Sequence, residues 1–170
     1  RVLSYAGYRM RRVINITDFG HLASDGDEGE DKMTKGLRRE GLPLTLENMR
    51  AMAEKYADVF LKDISLLGID TEQIAFPRAS DYIAEQIAFV KTLEQKGYAY
   101  KTNDGVYFDV SRFPNYGKLG GILADSQQTG ARAARNKEKR NDADFALWKS
   151  DDKLGWNSPW GLGVPGWHIE

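Results

Sequence analysis

Val13 to Asp18, V-I-N-I-T-D, set a hydroxyl and a carboxylate directly behind a run of β-formers. Val13, Ile14 and Ile16 predict a short strand buried on both faces, with Thr17 and Asp18 at its carboxyl tip. Ligands of open α/β sheets bind outside that tip, where the loops diverge, so the pair is placed to hold a small polar substrate. Near the other end, residues 157–166 carry three glycines and two prolines and read as a loop that delivers Trp167-His168-Ile169-Glu170. Glycine lets a backbone approach a ligand closely, which makes Trp167 a candidate pocket wall. Trp148, behind Phe145 and Leu147, reads instead as core packing.

Other groups carry less chemistry. The two histidines, His21 and His168, have no second ligand at short zinc spacing, so the chain builds no complete metal site by itself. Gly20-His21 has the wrong order, behind the wrong strand, for an H-I-G-H nucleotide signature, and His21 reads as a polar loop residue. Acidic residues crowd positions 25–31, but Glu30 stands where a calcium loop needs its turn glycine; the stretch reads as a solvated acidic loop. Arg132, Arg135, Lys137, Lys139 and Arg140 form a basic run, which reads most often as a solvated surface and in its functional reading as contact with a nucleic-acid backbone.

The chain has 170 residues, of which 41% are apolar, enough for one domain or one domain with an insertion. Its 24 basic and 25 acidic residues leave a net charge of -1, which gives no bulk reason to expect nucleic acid. No apolar run approaches the roughly 20 residues of a membrane span, and the start carries no signal peptide pattern. Arg1 opens inside what reads as a helix end capped by Gly7, and Glu170 stops in mid-pattern, as expected of an internal piece of a longer protein. There is no cysteine, which in a fragment speaks only for the piece in hand.

The elements that must position these groups follow from periodicity. A short helix is predicted from Lys32 to Glu40, closed by Gly41. Thr45 caps a longer helix with Glu47 in its first turn; Met49, Met52, Ala53, Tyr56, Phe60, Ile64 and Leu67 form one buried stripe, and Gly68 ends it. Pro77 and Ser80 open a further helix with Ile83, Ile87, Val90 and Leu93 as its stripe, stopped by Gly97. Tyr98 to Val110 predicts a β-hairpin turning at Asn103-Asp104-Gly105. Residues 113–121 read as loop. Asp144 to Trp148 and Lys153 to Trp156 are expected as short strands. The order suggests an α/β core interrupted by an inserted module.

Taken together, Asn15-Ile16-Thr17-Asp18, Glu30-Asp31-Lys32, Pro77-Arg78-Ala79, Gly105 to Val110, Tyr116-Gly117-Lys118-Leu119, Lys139-Arg140-Asn141, D-F-A-L-W-K from Asp144 and S-P-W-G-L-G-V-P-G-W-H-I-E from Ser158 are in the order of one family. The chain resembles an internal piece of the catalytic domain of cysteinyl-tRNA synthetases, a class I aminoacyl-tRNA synthetase family. Three features depart from the family pattern: Val164 replaces a usual Arg, Asp142 replaces a common Pro, and residues 19–29 are longer than the common form.

The resemblance implies a Rossmann-like catalytic core, a parallel sheet with helices, interrupted by an α+β connective module. Residues 1–68 would begin the core, 69–143 form the insert and 144–170 return to the core. It implies a cytoplasmic ligase that activates cysteine with ATP and magnesium to an adenylate and passes it to tRNA(Cys). Thr17 and Trp167 would line the cysteine pocket, and Arg132, Arg135, Lys137 and Arg140 would contact tRNA. A zinc ion would select the substrate thiolate, with its ligands outside this chain, as are the H-I-G-H and K-M-S-K-S motifs; no catalytic residue falls within the chain, and the piece alone is expected to be inactive. Two alternatives remain open: a mycothiol-pathway ligase joining cysteine to an amino sugar, and a non-catalytic RNA-binding remnant.

Overall fold

A computed structural model describes residues 2–19, 32–119 and 137–169. The first turn, α1 (Val2–Tyr5), ends at Gly7, whose φ of 84° lets the Gly7 and Tyr8 N–H groups return to the carbonyls of Ser4 and Leu3. β1 (Arg12–Val13) runs parallel to β2 (Ile74–Ala75), with Arg12 opposite Ile74 and Val13 opposite Ala75. The pairing continues past both strands: Ile14 N–H donates to Ala75 O, Ile16 N–H to Pro77 O and Ala79 N–H to Ile16 O. The expected strand therefore forms, but it is not buried on both faces. Val13 is 56% and Ile14 41% exposed, because β2 is its only sheet neighbour among the described residues.

α2 (Lys32–Glu40) lies against α3 (Leu46–Leu66). The Thr45 hydroxyl caps α3 by accepting from Asn48 N–H at 3.1 Å, a contact whose loss costs about 1 kcal/mol. Met49, Met52, Ala53 and Ala57 are buried, but Tyr56, Phe60 and Leu67 of the predicted stripe are exposed. The nine-residue α2 reaches only the first half of the 21-residue α3. Leu37 of α2 joins Phe19, Met49 and Met52 in a core that also takes in Leu154 and Trp156, with Phe19 edge-on to Trp156 at 4.7 Å.

A 3₁₀ turn, Ala79–Tyr82, leads into α4 (Ile83–Gln95). Next comes an antiparallel sheet in the order β3-β4-β5-β7-β6, built from β3 (Ala99–Thr102), β4 (Gly105–Phe108), β5 (Phe145–Ser150), β6 (Trp156–Ser158) and β7 (Gly161–Pro165). The Asn103-Asp104 turn joins β3 to β4 as predicted. Ile83 and Val90 of α4 pack with Val106, Leu147, Trp148, Trp160 and Ile169 over one face, while Tyr100, Tyr107 and Ala146 fill the other. Trp148 is fully buried, as its sequence setting predicts. A register shift between Val106 and Tyr107 marks a bulge against β5. The sheet uses strands from both sides of residues 143 and 144.

Two expectations about the last quarter change. The strand placed at Lys153 begins only at Trp156, because the Asp151 carboxylate accepts from the N–H groups of Lys153 and Leu154 and turns the chain. Residues 157–166 are not a loop. They form most of the β6–β7 hairpin, closed by the Ser158 hydroxyl, which donates to Gly161 O. Their glycines serve strand packing: a Cβ on Gly163 would lie 2.1 Å from Lys149 O, and one on Gly166 would lie 2.0 Å from Ala146 O.

Candidate functional site

The tip of β1 is tied down by its own carboxylate. Asp18 is 1% exposed and accepts from Ser80 N–H at 2.9 Å and from the Ser80 hydroxyl at 2.5 Å. That pair fixes the entrance of the 3₁₀ turn to the end of β1, so Asp18 is spent on structure and is not offered to a substrate. Thr17 is half-buried. It accepts from the Asn15 amide at 3.5 Å and faces a cavity of about 470 Å³ with Met33, Lys35, Arg39 and Tyr56 among its walls.

Trp167 opens the final 3₁₀ turn, Trp167–Ile169, and is 64% exposed. Its ring stands 5.8 Å from that of His168, and His168 in turn lies 4.5 Å from Phe145. Trp167 does not line the Thr17 cavity. The two segments meet through different residues: Asn15 and Ile169 share a cavity of about 430 Å³ with Arg78, Tyr82, Gln86 and Phe89. Its walls are mostly apolar, yet the Arg78 Nε–H donor and the Gln86 Oε1 acceptor are buried without a partner. Gln86 spends its amide N–H on Ala79 O at 2.7 Å.

Of the basic run, Arg132 and Arg135 lie outside the described residues. Lys137 is exposed. Arg140 is held on three sides. Its guanidinium pairs with Asp109 at 3.1 Å and lies 4.2 Å from the Tyr100 ring centre, while its N–H donates to the Tyr100 hydroxyl at 2.9 Å. That hydroxyl donates to Asp144 at 2.6 Å, and Asp144 also accepts from the N–H groups of Asn141 and Val110 at 3.0 Å each. Burial opposes charge on Asp109, but hydrogen bonds from Ser111 and Arg140 outweigh it and hold the carboxyl below its usual 3.8. Burial, and then the bond to Asp144, push the Tyr100 phenol well above 10.0.

A second charged set sits at the hairpin turn. Lys149 Nζ donates to Asp104 at 3.0 Å and to the Tyr107 hydroxyl at 2.9 Å, and that hydroxyl donates to Asp104. Burial disfavours the Lys149 charge, but these two bonds prevail and raise it above 10.5. Asp104 is likewise burdened by burial, and the bonds from Lys149 and Thr102 bring it below 3.8. For Tyr107, burial is the largest influence and the phenol is raised above 10.0. Sequence reasoning missed both clusters. Tyr100 and Asp144 are 44 residues apart, and no linear pattern links them.

Among the described residues, no three His, Asp or Glu side chains converge as a metal site.

Residues 1–170 match the family described as the tRNA synthetase class I (C) catalytic domain. The chain is 49% identical to cysteine–tRNA ligase 1 of Burkholderia lata, over 100% of this chain and 36% of that protein. It is 46% identical to the cysteine–tRNA ligase of Deinococcus radiodurans, over 100% of this chain and 34% of the relative. For the Pyrococcus furiosus cysteine–tRNA ligase the figures are 40%, 100% and 33%. The chain spans about a third of the length of these relatives.

Proposed function

This chain belongs to the class I (C) tRNA synthetase catalytic-domain family, and from that membership we propose that it is part of a cysteine–tRNA ligase. The full-length protein activates cysteine with ATP to cysteinyl-adenylate and transfers it to tRNA(Cys) in the cytoplasm. The observation that carries this reading is the match to ligases of that name along the whole chain, at 40 to 49% identity. Among the described residues, no helix is long and apolar enough to cross a membrane.

Within that protein, residues 1–68 and 144–170 belong to the Rossmann-like part and residues 69–143 to a connective module, with the antiparallel sheet bridging them. Thr17 and Trp167 flank the cysteine: Thr17 offers a hydroxyl at the end of β1, and the exposed Trp167 offers an indole N–H and an apolar face. Arg132, Arg135, Lys137 and Arg140 meet the acceptor end of the tRNA through its phosphates. The intact ligase uses ATP with magnesium and zinc, and the zinc ligands and both nucleotide motifs lie beyond these residues. The test is charging of tRNA(Cys) by the full-length protein together with cysteine-dependent ATP–pyrophosphate exchange. Exchange without tRNA charging would point to a cysteine ligase with another acceptor, such as an amino sugar; the absence of both activities would refute the reading.

A further inference from the structure

We propose that Tyr100, Asp109 and Asp144 are positioning residues for tRNA: they clasp residues 138–141 across the β3–β4 hairpin and so give Lys137 one fixed placement for phosphate contact. The proposal rests on the reading of the basic run as a tRNA contact. Three successive residues are fastened to the hairpin and the fourth to Asp144. The Glu138 carboxylate accepts from Asn103 N–H at 2.7 Å, and the Lys139 ammonium lies 5.8 Å from the Tyr107 ring centre. Arg140 is held through both its backbone and its side chain by Tyr100 and Asp109. Asn141 N–H donates to Asp144.

The anchoring groups are internal. Tyr100, Asp109 and Asp144 are all buried, and the Tyr100 hydroxyl both accepts from Arg140 and donates to Asp144. A segment with no regular secondary structure is thus ordered before any partner arrives. Ordering in advance removes a cost that binding would otherwise bear, and it sets where the neighbouring cation stands. None of the three anchors needs to touch RNA.

The experiment uses the full-length protein and compares Tyr100→Phe, Lys137→Ala and the double variant. The KM for tRNA is measured over a range of salt concentrations, with thermal unfolding alongside. Lys137→Ala is expected to raise the KM about three- to tenfold and to lower the log–log salt slope by about 1. Tyr100→Phe removes no charge, yet it is expected to raise the KM about threefold and to flatten the slope as well, because Lys137 loses its placement. The double variant should differ little from Lys137→Ala, as coupled residues do. Tyr100→Phe should keep the wild-type KM values for cysteine and ATP in pyrophosphate exchange. Should Tyr100→Phe not fold, Asp109→Asn weakens the clasp at Arg140 and Asn141 and is expected to raise the KM for tRNA likewise; a wild-type KM there overturns the clasp. A reduced slope in Lys137→Ala beside a wild-type slope in Tyr100→Phe overturns the clasp and leaves the tRNA reading intact. If Lys137→Ala changes neither KM nor slope, the tRNA reading of the run fails and the clasp fails with it.

Discussion

Thr17 and Trp167 are separate walls: Thr17 lines a cavity that Trp167 does not reach, and Trp167 is largely exposed. Their proposed shared role is therefore sensitive to single substitutions in different ways. Loss of one hydrogen bond to a charged group costs roughly 1.5 to 3 kcal/mol, about a ten- to hundredfold change in an equilibrium constant. In the full-length protein, Thr17→Val is expected to raise the KM for cysteine by about that factor. Trp167→Ala removes an indole donor and a wall together and should be worse. Zinc content should change in neither, since neither side chain is a proposed ligand. Cysteine-dependent pyrophosphate exchange with parallel metal analysis checks both, and wild-type KM values would remove these residues from the pocket.

The β7 strand depends on a missing side chain. A Cβ on Gly163 would meet Lys149 O at 2.1 Å and Trp148 Nε1 at 2.7 Å, and a backbone oxygen cannot swing away as a side chain can. Gly163→Ala is expected to destabilise the fold by about 1 to 3 kcal/mol or more, seen as a lower denaturant midpoint; an unchanged midpoint would mean that β5 and β7 are not so closely paired. The hairpin and β5 also set a pH response. Tyr100, Tyr107 and Lys149 titrate above their unfolded values. Their contribution is complete below about pH 10 and is lost as pH rises through the raised folded values. Asp104 and Asp109 titrate below 3.8, so their contribution is present above that value and is lost as pH falls through the lower folded ones. Stability should thus decline on alkaline titration, with the tyrosinate forms of Tyr100 and Tyr107 appearing only together with unfolding. Tyrosinate from Tyr100 or Tyr107 in the folded protein would contradict this.

For the whole chain, the relevant fact is its share of the relatives, about a third. The resemblance places both nucleotide motifs and the zinc ligands outside residues 1–170. Purified residues 1–170 are expected to show no cysteine-dependent pyrophosphate exchange and to retain no stoichiometric zinc. Measured exchange, or one tightly held zinc per chain, would refute that assignment of parts.

Local chemistry was legible without coordinates. Glycines at 7, 41, 68 and 97 stop helices because each takes a positive φ that other residues resist; Thr45 caps because its hydroxyl reaches an amide three residues on; and the Asn103-Asp104 turn forms because its residues suit it. The family, too, was readable, from short motifs kept in order. What tertiary structure alone decided depends on partners far apart in the chain. Asp18 became a strut when Ser80, 62 residues away, supplied two donors. The glycine-rich stretch at 157–166 became a hairpin because β5 was there for β7 to pair with. Arg140, part of a basic run in the sequence, gained an ion pair with Asp109 and a ring contact with Tyr100 while staying at the surface. Periodicity and turn propensity report what a residue does to its own backbone, whereas pairing, burial and charge compensation depend on which distant groups the folded chain brings alongside.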